Sequence, residues 1–190
     1  MPKLCVLALV LAGCVPLQLG KNESESHRHR GGFVGAAVGG GISSFDCNNN
    51  CRSEAGDIGM AVDLGAVSGK ARAIVLGGRW LYRPTTAKYS QGEVLLSYRR
   101  WLIPFLWVSG GGGLAWQRSI ALVDTEAGRS RFGGAAVGSA AMELVISNNI
   151  TFDIRVDSGV AYIPDGSYWF GVAGVGMTVY SDPIAVSAGR

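Results

Sequence analysis

Over residues 150–162 the apolar side chains Ile150, Phe152, Ile154, Val156, Val160 and Tyr162 fall on alternate positions, with Thr151, Asp153, Arg155 and Asp157 between them. A period of two places the two sets on opposite faces of a β-strand. The pattern recurs from residue 32 onward and predicts eight strands, at 32–45, 57–68, 71–83, 92–101, 104–117, 130–147, 150–163 and 168–180. No segment carries a capped 3.6-residue period. The alanines of "RFGGAAVGSAAMELVIS" compete for a helix, but its three glycines and β-branched end favour a strand.

The links between these segments alternate in length. Those around "SGK", "LIP" and "SNN" are tight, whereas residues 46–56, 84–91 and 118–129 form longer loops, and "PDGS" closes the last hairpin. Eight antiparallel strands with tight turns on one rim and long loops on the other predict an all-β fold, a closed up-and-down β-barrel. Closure removes the exposed edges that such apolar strands could not leave open.

Parity along each strand collects Asp63, Arg79, Glu93, Arg99, Glu143, Asp153, Arg155 and Asp157 on one face. The other face reads Ile58-Met60-Val62-Leu64, Ile74-Leu76, Val94-Leu96 and Met142-Leu144-Ile146. Alternation alone does not say which face meets water. A soluble cup with a greasy lumen and a membrane barrel with a greasy exterior share the same period. Three observations favour the membrane. Aromatic residues fall at strand ends: Phe33, Trp101, Phe105, Phe152 and Tyr180 near the tight turns, and Phe45, Trp80, Tyr82, Trp116, Phe132, Tyr162, Tyr168 and Trp169 near the long loops. Two aromatic girdles are expected of a transmembrane barrel. The charged face holds three arginines, five carboxylates and no lysine, which suits mutual pairing in a confined lumen. Runs such as "GAAVGGG" and "GGAAVGSAA" supply small residues that leave room for arginines in a narrow interior.

Composition agrees with that choice. Of 190 residues 48% are hydrophobic and only 16% charged, with 29 glycines, against about 25% charged in an ordinary globular chain. The net charge of +3 comes from scattered residues, and Lys3, Lys21, Lys70 and Lys88 are the only lysines. A nucleic-acid surface is not expected from such a distribution.

The N-terminus, "MPKLCVLALVLAGC", has one positive charge and then a short apolar run, the pattern of a secretory signal over 1–13. Residues 14–31 are polar and aperiodic and read as a tether, 32–180 as the barrel, and 181–190 as a tail. In an exported chain Cys47 and Cys51, with asparagines between them and no histidine near, predict a small disulfide loop.

Candidate chemistry is sparse. His27 and His29, the only histidines, lie in the tether and not on a strand, so a histidine-dependent hydrolase is not expected. "GAVSGKA" lacks the spacing and hydroxyl of a phosphate loop, and "GFVGAAVGGG" precedes no helix. No metal site and no cofactor are expected. Asp153, Asp157 and Glu143 share a face with arginines, which favours a salt-bridge network over acid–base catalysis.

With these features together, residues 32–180 resemble the small eight-stranded outer-membrane barrels, namely the transmembrane domain of outer-membrane protein A and the opacity-type proteins. "YWFGVAGVGMTVY" resembles that family's C-terminal assembly signal, with Tyr180 as the final aromatic before ten further residues. "LAGC", ending at Cys14, resembles the lipobox of bacterial lipoproteins and implies a lipid-modified Cys14. The resemblance implies a monomer in the bacterial outer membrane, in contact with its lipid, with the barrel-assembly machinery as a partner in biogenesis. It implies a structural or surface-interaction role through the long loops and an extracellular partner at that rim. Two other readings stand beside it: a lipid-anchored periplasmic, lipocalin-like barrel holding a small apolar ligand, and a narrow pore.

Overall fold

In a computed structural model of the chain, the residues described are 27–28, 31–47, 52–68, 71–83, 89–103, 105–119, 130–164, 166–182 and 185–186. The signal segment 1–13, Cys14, Cys51 and most of the tether lie outside them. Eight strands form the barrel: β2 (Gly32–Cys47), β3 (Arg52–Val67), β4 (Arg72–Arg83), β5 (Tyr89–Ile103), β6 (Leu106–Ser119), β7 (Ser130–Ser147), β8 (Ile150–Ile163) and β9 (Gly166–Tyr180). Each pairs antiparallel with the next in sequence, and β9 pairs back to β2 to close the cylinder. Outside it, β1 (His27–Arg28) pairs with β10 (Ala185–Val186), so the tether and tail meet in a two-residue ladder.

The strands are 12 to 18 residues long, more than the roughly 9–11 a tilted strand needs to cross a bilayer. The excess lies at the long-loop rim and corrects the sequence-derived loops. The β2–β3 ladder continues through Ser44↔Glu54 to Asp46↔Arg52, so much of 46–56 is strand. β5 begins at Tyr89, and β6 runs to Ser119, which trims 84–91 and 118–129 as well. The physical reason is that backbone pairing continues where both strands are polar and the alternation is no longer visible.

The chain enters the barrel through Gly31 at φ +72°, where a side chain would collide with Ser181 and Asp182. Gly32 N–H donates to Ser181 Oγ at 2.9 Å, which ties the start of β2 to the residue after β9. On the same rim, Ala71 takes φ 63° in the β3–β4 turn, and its carbonyl accepts the Trp101 N–H at 3.0 Å. Asn148–Asn149 makes the tight β7–β8 turn.

Parity decides which way each side chain points. Along β8, Thr151, Asp153, Arg155 and Asp157 are buried, and Ile154 and Val156 are exposed. A one-residue slip would put those charges outside, where arginine alone costs roughly 2–4 kcal/mol at a bilayer midplane. Register is therefore strongly specified.

The aromatic girdles need correction. Phe33, Trp101 and Tyr180 at the tight-turn end, and Tyr168 at the other, point into the lumen and are buried. Trp101 shares the parity of Arg99, and Tyr180 that of Thr178, so strand parity overrides position at a strand end. Trp80, Phe132, Tyr162 and Trp169 do face outward at the long-loop end, and Phe105 does so at the tight-turn end.

Candidate functional site

The lumen is filled in layers, and β4 passes through all of them. Nearest the tight turns, Ala73 and Val75 join Phe33, Trp101, Trp107, Ala141 and Tyr180 in an apolar, aromatic layer. Next come Gly77 and Arg79 at the ionic layer. Leu81 then enters a second apolar layer with Leu95, Val137, Ile163, Tyr168, Phe170 and Val172. Arg83 ends the strand in a polar cap.

Asp63 on β3 is the hub of the ionic layer. Its Oδ1 accepts Arg79 Nη1 at 2.7 Å, and its Oδ2 accepts Arg99 Nη2 at 2.7 Å and Arg155 Nη1 at 3.2 Å. Glycine at 77 leaves this space open, since a Cβ there would press on both Asp63 and Arg79. Arg155 grips Asp157 with two hydrogen bonds, of 3.1 and 2.9 Å, and Ser139 donates to the same carboxylate. Arg79 Nε faces Asp157 Oδ1 at 3.7 Å, an ion pair beyond hydrogen-bond distance. Arg99, 2% exposed, lies with its guanidinium 3.8 Å from the Trp107 ring centre and 4.9 Å from that of Phe33. The aromatic layer thus supplies π-faces to a desolvated cation.

The remaining carboxylates are held differently. Glu143 accepts Trp101 Nε1 at 3.1 Å and the Tyr180 hydroxyl at 2.9 Å. Glu93 accepts the Tyr168 hydroxyl at 3.0 Å. Arg79 stands opposite Glu93 across the β4–β5 ladder but turns to Asp63 instead. Asp153 Oδ2 meets Thr178 Oγ1 at 3.5 Å. The structure therefore joins Asp63, Arg79, Arg99, Arg155 and Asp157 in one cluster, and among the described residues Glu93 and Asp153 make no salt bridge.

Sequence reading missed the polar cap. Arg83 Nε donates to Asp57 Oδ1 at 3.2 Å, and Arg83 Nη2 donates to Ser43 Oγ. The signal was present, because Asp57 continues the parity of Asp63, and Arg83 that of Arg79. Both stand at the ends of predicted strands, 57–68 and 71–83, outside the charged set assigned to one face.

Cross-strand pairing of rings with glycines shapes the wall. Phe33 lies over Gly65, Trp116 over Gly92 and Phe170 over Gly159, each directly opposed in the ladder. A ring over a glycine restores the apolar contact that the glycine lacks.

Chemically, the interior is a filled plug, an ionic layer between two apolar ones. A cavity of about 20 Å³ beside Arg79, Arg155, Asp157 and Phe170 holds on the order of one water molecule. The larger apolar face is turned outward, so among the described residues the lumen offers no open apolar cup of the kind the lipocalin-like reading needs.

No protein-family model matches the chain, and no curated protein matches it in sequence. Solved structures do. The crystal structure of Neisserial surface protein A has a TM-score of 0.62 at 9% identity, over 80% of this chain and 99% of that one. Ail, the attachment invasion locus protein of Yersinia pestis, has 0.57 at 11%, over 78% and 99%. A second Ail structure, in complex with the heparin analogue sucrose octasulfate, has 0.59 at 11% identity, over 78% of this chain and 99% of that one. The fold is that of these small eight-stranded barrels. At such identities the likeness is one of architecture, and the closed antiparallel barrel is what it shows.

Proposed function

We propose that this protein is a bacterial outer-membrane barrel without catalytic activity, which acts structurally or through contacts at its loop rim. The observation that carries the reading is inverted polarity. Among the described residues, 28 large apolar side chains are exposed on the wall, while Asp63, Arg99 and Arg155 are at most 4% exposed. Monomers in water rarely expose an apolar patch beyond a few hundred Å²; a bilayer accepts such a belt. The likeness to a Neisserial surface protein and to an attachment invasion locus protein supports a role at the cell surface. Lipidation at Cys14, a Cys47–Cys51 disulfide, insertion by the barrel-assembly machinery and a monomeric state belong to the same reading.

The protein is expected in the membrane fraction, resistant to urea and extracted only by detergent, with a heat-shifted gel mobility. Intact mass of the extracted protein reads the lipid and the disulfide. Recovery in the soluble fraction, or release by urea alone, would overturn the membrane assignment.

In planar bilayers no unitary conductance is expected, because two apolar layers and the ion cluster between them fill the lumen. Reproducible conductance steps altered by Arg155→Ala would establish the pore reading instead.

A further inference from the structure

Two arginines on the outer wall have no function in the lumen network. Arg72, the first residue of β4, and Arg100 on β5 are directly opposed across the β4–β5 ladder. Both share the outward parity of Ile74, Leu76, Leu96 and Tyr98, which are exposed. Among the described residues neither makes a salt bridge or a side-chain hydrogen bond. Directly opposed like charges destabilise a sheet, so folding alone does not account for the pair. The outward faces of β4, β5 and β6 carry no carboxylate that could relieve it.

The surroundings say what does. Arg100 sits between outward Tyr98 on its own strand and Val108 on β6, with exposed Ile103 and Phe105 beyond it toward the tight turns. The two residues thus stand at the margin of the apolar belt, on the tight-turn rim. Cross-strand partners have Cβ atoms about 4.5–5.5 Å apart, so two long side chains can converge on one phosphate, which arginine's donor fork suits. The absence of a nearby carboxylate leaves nothing to hold a headgroup ammonium.

Resting on the membrane reading above, we propose that Arg72 and Arg100 form a clamp for the phosphodiester of an anionic phospholipid in the leaflet on the tight-turn side. The site favours a headgroup without a cationic amine.

The test uses the mature protein extracted in neutral detergent, with lipid retention read by native mass spectrometry. Wild type is expected to retain phosphatidylglycerol in preference to phosphatidylcholine, and less so as salt is raised. R72Q/R100Q is expected to lose about fivefold of that retention per arginine, while keeping its heat-shifted mobility. Equal retention of the two lipids by wild type overturns the clamp, whether or not the variant folds. So does an unchanged preference in a folded R72Q/R100Q. Inorganic phosphate that displaces phosphatidylglycerol at equal concentration would assign the site to a free anion and overturn the lipid source. A wild type recovered in the soluble fraction, with no need of detergent, refutes the membrane reading itself. One extracted from the membrane that binds both lipids alike refutes only the clamp.

Discussion

Asp63→Asn is expected to destabilise the barrel by about 3–5 kcal/mol, the usual cost of removing one partner from a buried ion pair. Asp63 is the single carboxylate on which Arg79, Arg99 and Arg155 converge. The amide keeps its shape but presents no charge, and one of its two acceptor oxygens becomes a donor facing donors. Arg155 and Arg79 retain Asp157 nearby. Among the described residues Arg99 hydrogen-bonds no other carboxylate and keeps the faces of Trp107 and Phe33, which do not replace a carboxylate in a desolvated lumen. Glu93→Gln is the matched control, because among the described residues Glu93 makes no salt bridge and its Oε2 has no hydrogen-bond partner. The glutamine oxygen can still accept the Tyr168 hydroxyl, so little loss is expected. Urea midpoints of the two variants in lipid vesicles make the comparison. Equal midpoints for Asp63→Asn and wild type would mean that the hub is not a hub.

Gly39→Ala with Gly41→Ala is expected to abolish or severely weaken closure between β2 and β9. At Gly39 and Gly41 an added Cβ would run into the carbonyl oxygens of Ala173 and Gly171 on the partner strand, closer than non-bonded atoms approach. Gly174 has the same relation to Val38 from the other side, so the seam is shaped from both strands. Overpacking of this kind costs roughly 1–3 kcal/mol per site when the neighbour can yield, and a hydrogen-bonded backbone yields poorly. Gly40, between them, has nothing nearer than 3.9 Å. Gly40→Ala is therefore expected to leave the barrel intact. The readout is the fraction of protein showing heat-shifted mobility after refolding into detergent. The steric account is lost if all three substitutions refold alike.

These two predictions divide what could be read from the chain and what could not. That Asp63, Arg79, Arg99, Arg155 and Asp157 share a face follows from parity, since a strand has only two sides. That Arg79 turns to Asp63 rather than to Glu93 opposite it does not follow, because the choice is made across the lumen by strands far apart in sequence. Phe33, Trp101, Tyr168 and Tyr180 show the cost of preferring position to parity. They were expected in the girdles because they sit at strand ends, and they face inward because their neighbours in alternation face outward. The Asp57–Arg83–Ser43 cap was legible by the same rule, had the alternation been carried past the apolar stretch.

By itself the sequence determined the strands, their antiparallel order and the membership of the two faces, because these depend on local periodicity and link length. The tertiary structure decided which face is inside, which glycines shape the closing seam and which charges meet. Those depend on closure: once β9 pairs with β2, one face of every strand is confined to a space that only paired charges, small residues and interleaved rings can fill.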